Sequence, residues 1–118
     1  MSISRGTVVL APFPFTDLTK QKPRPAVVLS TDRFNNESED IILVALSSNT
    51  KRPLLEYEFL IQSSDEDFGE TGLRVNSVVR CGKLVTIHQS LVMINLGKFN
   101  KTRMNTTLSH VRKALGLN

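Results

Sequence analysis

The chain has 118 residues, 40% of them hydrophobic, with no tryptophan and one cysteine; that is enough for one core and one domain, not two. Its net charge of +4 is unevenly placed: Arg5, Lys20, Lys22 and Arg24 against Asp17 leave +3 in residues 1–30, three basic and ten acidic residues leave −7 in residues 31–70, and eight basic residues with no carboxylate leave +8 in residues 71–118. No stretch approaches the roughly 20 apolar residues of a membrane span, the N-terminus has no apolar h-region, and the single Cys81 has no internal disulfide partner, so a reducing cytoplasm and no membrane contact are expected.

In chain order, Gly6 leads into a first strand over residues 7–11. Residues 12–23 read as a long loop, because its prolines remove ladder donors. Residues 26–30 form a second strand whose apolar run Ala26-Val27-Val28-Leu29 does not alternate, which predicts burial on both faces near the sheet centre. Residues 31–40 are a polar, acidic loop, residues 41–46 a third buried strand, and residues 48–53 a turn. Residues 55–61 alternate, with Glu56 and Glu58 expected outward and Tyr57 and Phe59 inward, the pattern of an edge strand. Residues 62–72 read as a solvated acidic loop. Residues 74–81 and 83–87 follow as strands with Gly82 as a bulge or kink, and residues 93–96 as a short strand. The period then changes: Met104, Leu108, Val111 and Leu115 mark one face of a helix, with Thr102 or Asn105 as N-cap and Gly116 at the C-cap. The pattern predicts a small, strongly bent antiparallel barrel with one terminal helix.

The carboxylate-free C-terminal third is a candidate surface for a polyanion; its alternative is a surface kept soluble by basic residues. His88 and His110 stand far apart with no cysteine or carboxylate at ligand spacing, so no metal site is expected, and neither a phosphate-cradling glycine loop nor a dinucleotide fingerprint occurs. Cys81 reads as a buried structural thiol. What remains is arginine, lysine and hydroxyl chemistry. Single-stranded RNA carries its own nucleophile, the 2′-OH, beside each phosphate. A protein that aligns this hydroxyl and stabilises the phosphorane with an arginine needs no cofactor.

The residues that suit this chemistry also carry a resemblance. Arg5-Gly6, Phe13-Pro14-Phe15-Thr16-Asp17, Lys22-Pro23-Arg24-Pro25-Ala26-Val27-Val28-Leu29-Ser30, Val44-Ala45-Leu46-Ser47-Ser48, and Val78-Val79-Arg80-Cys81 followed by Thr86-Ile87 arrive in order over nearly the whole chain. Together they resemble the MazF/PemK family of toxins. The resemblance implies an SH3-like barrel of the PemK/CcdB type, a homodimer, and metal-independent, sequence-specific cleavage of single-stranded mRNA to a 2′,3′-cyclic phosphate and a free 5′-OH. It also implies a cognate antitoxin, and promoter DNA binding only together with that antitoxin.

Carried over by residue, Arg24 matches the arginine on the scissile phosphate. Ser47 stands where the family usually has a catalytic threonine, and Ser48 in an often polar position. Arg80 matches an arginine proposed as acid or phosphate ligand in the PemK branch, whose aspartate base is replaced here by Gly82. Lys20, Lys22 and Lys83 are expected to add contacts and positive field along the RNA. Each assignment has a structural counterpart: Arg24 paired with Asp17, Ser47 bonding nearby backbone, Arg80 in a salt bridge across the sheet, the lysines solvated, and Phe13 and Phe15 in the core rather than stacked on bases. Two competing functions remain at this level. A gyrase poison of the same superfold acts through a C-terminal tryptophan, which this chain lacks. A non-cutting member would bind RNA or antitoxin alone.

Overall fold

The computed structural model describes residues 3–13 and 22–118; Phe15, Asp17 and Lys20 lie outside them. The elements run β1 (Thr7–Pro12), β2 (Pro23–Val28), α1 (Asp32–Glu37), β3 (Asp40–Ser47), β4 (Glu58–Ile61), α2 (Phe68–Thr71), β5 (Ser77–His88), a 3-10 turn (Gln89–Leu91), β6 (Ile94–Lys98) and α3 (Lys101–Leu115). All strand pairs are antiparallel, in the spatial order β4-β5-β3-β2-β1-β6. The expected bent barrel is present as a curled half-barrel, whose edge strands β4 and β6 are not paired with each other among the described residues.

The β-branched run of β2 sits near the centre of this sheet, buried on both faces as its lack of alternation predicts. Val27 joins a cluster with Val8, Val44, Leu46 and Val79 that Met104 and Val111 of α3 cover. Ala26 and Val28 join Val9, Phe13, Ile41 and Leu43 on the opposite face. Phe13 is therefore core, 2% exposed. Strand β2 begins three residues earlier than expected, at Pro23, and ends at Val28. Two prolines fit there because pairing with β3 starts only at Ala26, so on that side Pro23 and Pro25 have no ladder to break.

Strand β5 is a single strand rather than two. Its pairing with β3 jumps from Leu84 opposite Val44 to Arg80 opposite Ala45, so Cys81, Gly82 and Lys83 bulge, as Gly82 signalled. The segment 31–40, expected as a loop, holds α1, started by Thr31 Oγ1 accepting from Phe34 N at 3.1 Å. The acidic loop 62–72 holds α2, and the last strand is shifted to Ile94–Lys98. Gly72 has φ +74°, and a Cβ on Gly97 would lie 2.3 Å from the Glu70 carbonyl oxygen, so α2 and β6 meet backbone to backbone.

Helix α3 is capped two residues before the first of the expected caps, Thr102: Asn100 Oδ1 accepts from Arg103 N at 2.8 Å. Gly116 closes it at φ +72°, where glycine alone is unstrained. Met104 and Val111 are buried, but Leu115, expected on the same face, is 53% exposed. The loop carboxylates are not simply solvated: Asp67 accepts from Arg103 Nε at 2.7 Å and Asp65 from Arg103 Nη2 at 3.3 Å, tying the 62–67 segment to α3.

Candidate functional site

Beyond the Ala26–Ala45 pair, β2 and β3 part. A cleft of about 510 Å³ opens there, lined by Arg24 and Pro25 of β2, by Leu46, Ser47, Ser48 and Asn49 at and just past the end of β3, by Arg74 and Val75 ahead of β5, and by Ser77 at its start. Arg24, paired with Ala11 of β1, and Ser47, the last residue of β3, both lie on the wall of this cleft. Arg24 is exposed and Ser47 half-buried. The two residues named from sequence as phosphate ligand and hydroxyl thus share one opening.

Ser47 Oγ accepts from Asn49 N at 3.2 Å and from Arg80 Nη2 at 3.4 Å. A hydroxyl has two lone pairs and one proton. With both acceptor positions used, the function left to Ser47 is donation.

Arg80 is 5% exposed, and its guanidinium is committed inside the fold. Nη1 donates to Glu58 Oε2 at 3.2 Å, and Nη2 donates to the Asn49 carbonyl at 3.0 Å as well as to Ser47. Arg80 therefore holds the serine turn from behind, in the salt bridge across the sheet that was its structural counterpart. Ser48 lines the cleft exposed. Lys22 is exposed just ahead of Pro23, while Lys83 sits in the β5 bulge and is not among the cleft-lining residues.

Glu58 corrects the alternation reading. It is 6% exposed and faces inward, opposite Arg80 in the β4–β5 register. Arg52 grips the same carboxylate through Nη1 at 3.1 Å and Nη2 at 2.9 Å. Burial pushes the Glu58 carboxyl up, but the bonds from Arg52, Leu55 N and Arg80 outweigh it and hold the pKa below the ordinary glutamate value. Tyr57 and Phe59, expected inward, are half-buried. The missed signal was Arg80 itself: an arginine within the apolar run Val78-Val79-Arg80-Cys81 requires a buried carboxylate across from it. Arg74 and Asn49, which also line the cleft, carried no distinguishing pattern.

Other chemistry-bearing residues have local roles. His88 Nδ1 accepts from Ser90 N at 3.1 Å and caps the 3-10 turn. His110, expected solvated, is half-buried; it donates from Nδ1 to the Thr106 carbonyl at 2.8 Å and lies 4.9 Å from the Phe59 ring. Burial, with the Glu58 charge adding, pushes the Cys81 thiol to about 12, so it stays protonated and inert. A side chain at Gly82 would put its Cβ 2.9 Å from the Tyr57 ring, so the carboxylate of the PemK branch has no room here without moving that ring. Among the described residues no group of three or more His, Cys, Asp or Glu side chains could hold a metal ion, and no helix is long and apolar enough to cross a membrane.

Residues 4–115 match the model of a family described as PemK-like, MazF-like toxin of type II toxin–antitoxin system. The comparison with curated protein sequences returned no match. Among solved structures, an endoribonuclease in complex with its cognate antitoxin from a mycobacterial species superposes with a TM-score of 0.75 at 22% identity, over 98% of this chain and 97% of that one. A MazF from Deinococcus radiodurans gives 0.75 at 18% identity over 99% of both chains. The Mycobacterium tuberculosis toxin MazF-mt6 gives 0.73 at 16% identity over 95% of this chain and 98% of that one. Likeness at such identities establishes the shared fold.

Proposed function

Because this chain belongs to the PemK-like, MazF-like toxin family of type II toxin–antitoxin systems, we propose that it is an endoribonuclease that cleaves single-stranded mRNA at its Arg24–Ser47 cleft. The observation that supports this reading is an exposed arginine and a half-buried serine hydroxyl on the wall of one opening. The scissile phosphate sits between them. The substrate's 2′-oxygen bonds to phosphorus as the 5′-oxygen leaves, and the 2′-OH proton passes through solvent to that oxygen. The products are a 2′,3′-cyclic phosphate and a 5′-OH.

Arg24 neutralises charge as it builds on the phosphorane, a charge-assisted contact that strengthens in the transition state. Its backbone is set by Pro23 and Pro25, whose fixed φ angles lower the entropy lost on gripping phosphate. Ser47 donates to a phosphate oxygen, and Arg80 fixes Ser47 from behind. Ser48, Lys20 and Lys22 hold the RNA on either side of the break, and Lys83 adds positive field at longer range. No metal enters this scheme.

The mycobacterial neighbour is an endoribonuclease bound to its cognate antitoxin, which supports an antitoxin partner for this chain. The protein acts as a cytoplasmic homodimer and meets promoter DNA only together with the antitoxin. The experiment is incubation of the purified protein with a long single-stranded transcript in excess chelator, followed by end analysis of the fragments. Cyclic-phosphate and 5′-OH ends at a recurring short motif are expected. Intact RNA would leave a protein that binds without cutting.

A further inference from the structure

We infer that Glu58 is a positioning residue for RNA cleavage, acting through Arg52 and Arg80 to fix the turn that carries Ser47, Ser48 and Asn49 along the cleft wall. The inference rests on the reading of that cleft as the cleaving site.

Glu58 lies outside the cleft, with a side chain 3% exposed. Its carboxylate accepts from both Arg52 terminal nitrogens, from Leu55 N at 3.0 Å and from Arg80 Nη1. Arg80 passes the connection on to the Asn49 carbonyl and to Ser47 Oγ. The segment held this way has little else to hold it: residues 48–56 are all exposed and form neither helix nor strand. A turn without buried apolar side chains keeps one geometry only through its polar pins.

A purely stabilising role does not account for a buried ion pair at this place. Desolvation offsets most of the attraction between buried charges, and an apolar pair of similar volume is often as stable. What an apolar pair lacks is direction. With Glu58 on one side, the planar Arg80 fork is oriented so that Nη2 meets the two acceptors that define the turn. Its bond to Ser47, with that from Asn49 N, takes both serine lone pairs and leaves the hydroxyl proton for a phosphate oxygen. Removing the Glu58 charge lets the fork turn, and the serine recovers acceptor as well as donor orientations.

The test compares wild type with Glu58→Gln, which keeps the shape and removes the charge. Single-turnover cleavage of a long transcript under enzyme excess is measured well below both unfolding midpoints, with circular dichroism confirming the folded state. The expected result is a rate at least fivefold lower, with the enzyme concentration for half-maximal rate within threefold of wild type. A smaller loss, or one carried by the half-saturating concentration, overturns the inference. If Glu58→Gln does not fold, Arg52→Gln decides, since the Arg52 side chain is 41% exposed. A rate loss of threefold or more at unchanged half-saturation supports the inference, and a smaller loss or a shifted half-saturation overturns it. Wild type that cuts while the variants match it refutes only the role of Glu58; wild type that does not cut refutes the reading of the cleft itself.

Discussion

Replacing Asp67 by Asn tests how α3 is anchored to the 62–67 segment. The Asp67 carboxylate accepts from Arg103 Nε and Nη2 and from Asn100 Nδ2 at 3.4 Å, and the side chains of Arg103 and Asp67 are 12% and 16% exposed. Neutralising it leaves Arg103 with Asp65 as its remaining carboxylate. Hydrogen bonds to charged groups contribute about 1.5–3 kcal/mol, and the retained Asp65 contact keeps the expected loss near the lower end, about 2 kcal/mol at pH 7. The bonds from Arg103 come first in holding the Asp67 carboxyl below its ordinary value. A carboxylate with a depressed folded pKa contributes stability above its unfolded pKa and loses it as pH falls through the folded one. The gap between wild type and Asp67→Asn, measured by urea unfolding from pH 7 down to pH 2, is therefore widest at neutral pH and closes in acid. A gap below about 0.5 kcal/mol at pH 7, the scale of an ordinary surface change, or one that stays constant with pH, would refute the anchoring.

Gly97→Ala drives a methyl into the backbone of α2, 2.3 Å from the Glu70 carbonyl oxygen; an overpacking cost of about 1–3 kcal/mol is expected, and an unchanged urea midpoint contradicts the close approach. Ser47→Thr keeps the hydroxyl on a residue type suited to a strand end, so cleavage is expected within threefold of wild type or faster. Loss of cleavage in a folded Ser47→Thr protein would argue against a donor role for this hydroxyl.

The parts of the fold legible in the sequence were those in which a local pattern and a global environment agree. The unbroken run Ala26-Val27-Val28 marked a strand buried on two faces, the bulge at Gly82 followed from its lack of a side chain, and Met104 with Val111 marked the face of α3. Helix α1 was not legible because its six residues carry one apolar side chain, Phe34, too few for a period. Glu58 was misplaced for a different reason. Alternation says which side of a strand a residue takes, but not whether that side meets solvent; here the 52–57 segment folds over it and supplies Arg52. The joint placement of Arg24 and Ser47 lies between these cases. Each residue stood out for its chemistry, but only the fold brings both to the wall of one cleft. The loop carboxylates read as solvated because the arginine they hold is more than thirty residues away in the chain.

The most direct measurement is the single-turnover rate of transcript cleavage by Arg24→Ala against wild type, with chelator present and both proteins confirmed folded. Loss of one preorganised donor to a developing oxyanion costs about 10²–10³ in rate. The account predicts a drop of at least that size with the unfolding midpoint little changed, since Arg24 is exposed. A folded Arg24→Ala protein that cuts at the wild-type rate would contradict it.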